Sequence, residues 1–416
     1  MELTQLPIVV LFGVLSEWLD VQSFTKFQTS VCNKKLEKHV RSTILDLPSF
    51  TISCNVATQA CIAWIVKKEL KLRQLIIFEN RKNRHFLLLD VSRLISLEFL
   101  ESDAHKYKTK NTPHYMTLIS KCEVLRKLDM SNLKNDDLFI LKRINNTNIL
   151  QNLNVLLVNF TDYRQHSITE SKLSEYIQNT CVNLADLKII TNGYYYVRDE
   201  WSNFINKMTN LTKLCVESSP NNNESVYITR LACVIEKSKV IKLILRDYGM
   251  SDFFSCDLCS DLLELVVELN YSDSKFTEIS STLPKLQSLT VDCTRLTEMV
   301  CVLEVFCDLK PIITHKALHT FTLHLPVKTS HKKENMILVN NKVVDLFTST
   351  PNTLHTITLS NSKITQTTID IIRKCNPHLI NIHDVSTAKQ NTYILPVPKK
   401  KVTTTTSKIN QKPAWR

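Results

Sequence analysis

The chain has 416 residues, 43% of them hydrophobic, which is enough for two or three compact domains or one long repeat array. Its formal charge is +12, but seven basic residues and no acid lie between Lys389 and Arg416, so the remainder carries only a slight positive excess. Three glycines in the whole chain exclude Gly-rich phosphate cradles and dinucleotide fingerprints, and thirteen cysteines, an odd number in a large chain, argue for reduced thiols over a disulfide scaffold.

Residues 6–44 read as three short helices. Leu11, Val14, Leu15, Trp18 and Leu19 recur at i, i+3, i+4, i+7 and i+8, a wide apolar stripe. Asp20 and Ser23 suit the cap of the next helix, which carries Phe24 and Phe27, and Val31 and Cys32 lead on to Leu36 and Val40. The apolar run Leu6–Leu15 does not read as a signal peptide. It follows Glu2 in place of a basic stretch, contains Pro7, and meets Glu17 and Asp20 without a small-residue cleavage site. No run reaches about 18 apolar residues, so no membrane span is expected.

Leu6-Pro7, the step Leu15-x-x-x-Leu19-Asp20, Phe24, Phe27 and Val31-Cys32 resemble an F-box. The resemblance implies that Leu6, Pro7, Leu11, Leu15, Leu19, Phe24 and Phe27 dock onto the adaptor of a cullin–RING ubiquitin ligase, while the chain behind them holds a substrate. Val9 stands where that family has an acidic residue, and its third-helix tryptophan is missing. The other reading of residues 1–45 is a helical cap that closes the first strand of a repeat array.

From 46 to 385 the pattern Leu-x-x-Leu-x-Leu recurs in twelve units, with first positions Leu72, Leu94, Leu125, Leu153, Leu184, Leu211, Val240, Leu262, Leu286, Leu318, Leu354 and Leu379. The gaps average about 28 residues, a repeat period. Positions one, four and six of each unit are expected to point inward from a short strand that pairs in parallel with its neighbours, because no unit can bury its apolar face alone. Position nine is Asn, Ser or Thr in nine units (Asn80, Ser102, Thr161, Asn192, Ser219, Asn270, Thr294, Ser362, Thr387), side chains expected to bond exposed backbone after the strand. Between strands the spacing turns helical, as in Tyr115, Leu118, Ile119 and Cys122, in Leu173, Tyr176, Ile177 and Cys181, and in Trp201, Phe204, Ile205 and Met208. The fold expected is an α/β solenoid: a curved parallel sheet with outer helices, behind a small three-helix head.

Cys256-Asp-Leu-Cys259 has zinc-knuckle spacing, but no second such pair exists to complete four ligands. Cys122, Cys181 and Cys259 each stand three residues before a first-position Leu, where Met208 stands in another unit, so they read as core residues at the helix end. With Cys122-Glu-Val-Leu-Arg-Lys-Leu, Cys181-Val-Asn-Leu-Ala-Asp-Leu and Leu354-x-x-Ile357-x-Leu359, they resemble the cysteine-containing class of leucine-rich repeat, over roughly Leu70 to Asp384. That class usually accompanies an F-box.

Positions three, five and seven are expected on the concave face, where they include Lys188, Lys213, Glu217, Lys242, Arg246, Glu264, Glu268, Asp292 and His324. Such a sign-changing face suits a protein partner and does not form the positive stripe that nucleic acid prefers. No nucleophile motif, metal motif or P-loop is present, so neither catalysis, a metal nor a cofactor is expected. The cytoplasm or the nucleus is the expected location, with a lysine run at 399–401 that resembles a nuclear import signal. Residues 386–416 lack any period or hydrophobic face and are expected to form a disordered basic tail. Limited proteolysis should therefore cut first beyond Ser386. Early protection of Thr403–Thr406 in the unliganded protein would contradict this reading.

Overall fold

The computed structural model describes residues 52–385, apart from segments of which the longest are 101–111, 133–140, 160–174, 192–204, 219–238, 247–260 and 270–282. Thirteen strands form one parallel sheet in strictly sequential order. They are β1 (Ile52–Cys54), β2 (Leu72–Phe78), β3 (Ser96–Leu100), β4 (Lys127–Asp129), β5 (Val155–Asn159), β6 (Asp186–Thr191), β7 (Lys213–Ser218), β8 (Lys242–Arg246), β9 (Glu264–Glu268), β10 (Ser288–Asp292), β11 (Thr320–His324), β12 (Thr356–Ser360) and β13 (Asn381–Val385). Among the described residues six α-helices are complete: α1 (Gln59–Lys67), α2 (Thr112–Ile119), α3 (Thr147–Gln151), α4 (Met299–Ile313), α5 (Lys333–Leu346) and α6 (Gln366–Cys375).

All twelve expected registers hold. Eleven of the twelve strands β2–β13 begin two residues after the first-position residue, and β2 begins on it. Side chains alternate between the two faces of a strand, so positions four and six fall on the face that positions three, five and seven avoid. Leu97 and Phe99, Leu187 and Ile189, Leu243 and Leu245, and Leu289 and Val291 are accordingly buried, together with the first-position residue before each.

The helices lie against that inward face. Tyr115 of α2 meets the Phe99 ring at 4.6 Å, Phe347 just after α5 meets Phe321 edge-on at 5.8 Å, and the inward residues of β1–β13 join the helix residues in one continuous core. Helix α5 packs against α4 on one side and α6 on the other. Thr365 caps α6, its hydroxyl accepting the Thr368 N–H at 3.2 Å, as the sequence rule for helix starts requires. Glycine is scarce, so a left-handed position at the end of α1 falls to Glu69, at φ 56°. There the Leu70 N–H reaches back to the Ile65 carbonyl and closes the helix.

Two backbone devices repeat along the array. The first-position N–H closes a turn onto the carbonyl three residues earlier, from Leu184 to Cys181 and Leu211 to Met208 at 3.1 Å, and from Leu318 to His315 likewise. The position-two carbonyl of each unit then accepts N–H groups from positions two and three of the next. Ile95 receives Arg126 and Lys127, Arg126 receives Asn154 and Val155, and the series continues to Asn381 on His355. The residue that opens the turn is buried at Val91, Leu150, Cys181, Met208, Leu283, His315 and Asn376 and half-buried at Pro351, and Cys122 is buried at the same place in its unit. The core reading of the cysteines therefore holds for Cys122 and Cys181, while Cys256 and Cys259 lie outside the described residues.

Two expectations need correction. The described residues hold thirteen rungs, because β1 precedes the first unit that the sequence shows. Its inward residue opposite Leu75 is Cys54, and its register shifts between Ile52 and Ser53, so no leucine period marks it. At position nine, Thr294 is the described member of the Asn/Ser/Thr set, and its part in closing the turn is through its main chain. Its N–H donates to the Asp292 carboxylate at 2.9 Å, so the bonding side chain sits at position seven.

Truncating Leu187, Leu214 or Leu289 to Ala should each cost about 2–5 kcal/mol, since all three are fully buried. The outward change Lys213→Ala should cost below about 1 kcal/mol, the ceiling for an exposed ion pair. Chemical denaturation reads both, and equal losses at the two kinds of site would break the register.

Candidate functional site

The inward face is taken up by helices, which leaves the opposite face of the sheet as the broad surface on offer. Because the strands pair in register, each outward position forms a row across neighbouring strands, about 4.8 Å apart. Lys188 lies on β6, Lys213 and Glu217 on β7, Lys242 and Arg246 on β8, Glu264 and Glu268 on β9, Asp292 on β10 and His324 on β11. All nine sequence-chosen residues stand on this one face.

They are not independent charges. Along position seven, Glu217, Arg246, Glu268, Asp292, His324 and Ser360 are consecutive register partners. Glu217 accepts Lys188 at 2.7 Å and Arg246 at 3.4 Å, and Glu268 accepts Arg246 at 3.4 Å and Arg295 at 2.8 Å. Along position three, Lys213 and Lys242 face each other across β7 and β8, yet each turns outward. Lys213 pairs with Asp186 at 2.5 Å and Lys242 with Glu264 at 2.6 Å. Each exposed pair contributes at most about 1 kcal/mol, so the ladder's main effect is to cancel charge and fix side-chain positions.

Between these two rows, position five carries Cys215, Ile244 and Val266. Cys215 is buried beneath its charged neighbours and its thiol is pushed up to about 11 by that burial. The middle of the open face is thus an apolar strip with a neutralised polar border. Toward the C-terminal strands the charges give way to hydroxyls: Ser288, Thr290, Thr320, Thr322, Thr356 and Thr358 occupy positions three and five.

His324 Nδ1 lies 2.5 Å from Ser360 Oγ, with Asp292 on the strand beyond. The residue types are those of a hydrolytic triad, but the contacts differ. Ser360 holds the ring nitrogen that a triad's carboxylate would hold, and Asp292 is turned to its own backbone at Thr294. The Cys293 and Leu325 N–H groups nearby are taken by the His324 and Ser360 carbonyls, which removes two donors that an oxyanion would need.

Sequence reasoning passed over an acidic pair at the other end. Glu98 and Asp129, position five in consecutive units, are register partners on β3 and β4. Asp129 is buried and accepts the Ser131 N–H and hydroxyl at 3.0 and 2.6 Å. Glu98 has its carboxyl raised above the usual range, by burial first and by the Asp129 charge second. The signal was present in the sequence as two acids at matching positions. Nearby, Ser53, Arg73, Gln74, Ile95 and Ser96 line an open cleft of about 470 Å³.

The head residues Leu6, Pro7, Leu11, Leu15, Leu19, Phe24 and Phe27 lie outside the described residues, as does the tail from 386. Among the described residues no group of three or more His, Cys, Asp or Glu is placed to hold a metal ion, and no helix is long and apolar enough to cross a membrane. No protein family matches the chain, and neither does any curated protein. Among solved structures it is similar to a chain of the Rad7 and Elc1 complex from yeast, at 13% identity and a TM-score of 0.36, over 89% of this chain and 95% of that one.

The acidic pair gives a pH-dependent test. A carboxyl raised in the folded state destabilises the fold when ionised, and that cost is lifted as pH falls through its folded value toward its unfolded one. Glu98→Gln should therefore raise the melting temperature near pH 7, with the gain shrinking steadily toward about pH 4. A variant that melts lower than wild type near pH 7, with the difference closing toward about pH 4, would show that Glu98 is stabilising as a carboxylate.

Proposed function

We propose that this chain is a non-enzymatic protein-binding solenoid, and that residues 1–45 attach it to the adaptor of a cullin–RING ubiquitin ligase, for which it would recognise a substrate. The observation that carries the binding role is the open face itself: an apolar strip at Cys215, Ile244 and Val266 bordered by charges that already neutralise one another. Protein interfaces have that anatomy, an apolar centre within a polar rim. A nucleic-acid surface would instead keep its lysines and arginines unpaired to meet phosphates. The contacts of Asp292, His324 and Ser360 favour structure over catalysis. No cofactor enters this role, which suits the cytoplasm or the nucleus.

The ligase link rests on the resemblance of Leu6-Pro7, Leu15, Leu19, Phe24 and Phe27 to an F-box, together with the repeats behind them. Burying such apolar side chains against an adaptor is worth about 1.5–3 kcal/mol each. Replacing Leu6 and Pro7 together with Ala should abolish adaptor capture and leave the melting temperature of the repeats unchanged. If the head only caps the array, wild type captures no adaptor and the same double change lowers the melting temperature. In that case the ligase role falls and the binding solenoid stands. The face is tested separately by Ile244→Glu, which should release a partner that co-purifies with wild type while the fold persists.

A further inference from the structure

Two cysteines meet on the first described rung of the array. Cys54, on β1, is fully buried, and Cys61, in the first turn of α1, is half-buried. Their Sγ atoms lie 3.6 Å apart, in hydrogen-bond contact across seven residues. A disulfide needs about 2.05 Å, so a gap of roughly 1.5 Å separates the two thiols from a bond.

We propose that Cys54 and Cys61 form a reversible peroxide-sensitive thiol pair, with Cys61 reacting first and Cys54 resolving it into a disulfide that ties β1 to α1.

The surroundings fit those roles. The Cys54 hydrogen bond holds the Cys61 thiol below its ordinary range, with burial opposing. The first turn of a helix adds to the effect, since N-terminal N–H groups favour a thiolate. The core cysteines differ. Burial pushes Cys122 up to about 12 and Cys181 up to about 11, and it raises Cys293 as well. A thiol that stays protonated is a poor nucleophile, so exposure and thiolate character together single out Cys61 over these.

In the first step the Cys61 thiolate attacks one oxygen of a hydroperoxide. The O–O bond breaks, the second oxygen leaves as alkoxide or hydroxide and takes up a proton, and Cys61 becomes a sulfenic acid. In the second, the Cys54 thiol gives up its proton and attacks the Cys61 sulfur. The S–S bond forms, and hydroxide leaves as water. Two thiols are oxidised and one hydroperoxide is reduced, and a dithiol reductant reverses the change.

Trypsin finds no lysine or arginine between Arg41 and Lys67, so both cysteines fall in one peptide, 42–67. The full-length reduced protein is titrated with hydrogen peroxide, alkylated, digested and weighed. The peptide 42–67 should be the first to lose both alkylations, with a mass about 2 Da below the reduced form, restored by dithiothreitol. With Cys54→Ser the same peptide should instead yield a Cys61 sulfenic acid that dimedone traps. The proposal is overturned if peptides carrying Cys301, Cys307 or Cys375 oxidise at lower peroxide. It is equally overturned if wild-type 42–67 gains oxygen without forming the link. The wild-type titration decides the matter even if the serine variant does not fold.

Discussion

In unit after unit, the carbonyl at position two accepts two N–H groups from the unit that follows, at 2.8–3.1 Å from Ile95 to His319. This shared acceptor pins each strand to its neighbour at one residue, and everything else about the fold is measured from it. The turn closed by the first-position N–H delivers the chain to that point, and alternation along the strand then sends positions four and six inward. The segments between strands lie outside this lattice. Their lengths can vary from 22 to 36 residues between first positions without moving a single strand out of register, because closing a longer loop costs only a few tenths of a kcal/mol more.

The same lattice explains which features were legible in advance. Inward positions are read directly from a one-dimensional pattern, since leucine at Leu153, Leu184 and Leu211 must be buried wherever the strand goes. The strand β1 was not legible, because its inward Cys54 breaks the leucine pattern and its register slips at one residue. The open-face residues could be chosen from the sequence, but their pairing could not. Lys188 and Glu217 are 29 residues apart in the chain and 2.7 Å apart in space, a proximity that exists only once two units are stacked. The turn-closing role of Asp292 escaped for a related reason. At Thr294, the one described residue of the position-nine set, the N–H is accepted by the Asp292 carboxylate at position seven.

Neutralisation on the open face also changes the meaning of the chain's charge. The excess of basic residues is concentrated in the last 28 residues, while the sheet presents lysines and arginines already matched to carboxylates. Long-range attraction of polyanions by such a face is weak, because paired charges cancel beyond about a Debye length of 8–10 Å. What a partner meets at close range is shape, an apolar strip and fixed polar groups. On the proposed reading those features would discriminate among protein partners by fit, since a wrong partner would desolvate the paired charges without replacing their hydration.

Stacking imposes a gradient along the array as well. An interior rung such as β6 or β7 is held by strands on both sides and by residues from neighbouring units, so its opening requires the cost of two interfaces. Among the described residues β1 has one strand neighbour, β2, and on that count opens at the lower cost of one interface. Reactive chemistry is tolerated where local opening is cheap and solvent is close, which is the setting of Cys61. Cys122, Cys181 and Cys293 sit where neither condition holds, and burial keeps their thiols protonated. Burial thus separates Cys122, Cys181 and Cys293, which serve core packing, from Cys61, whose proposed chemistry would leave the open face intact.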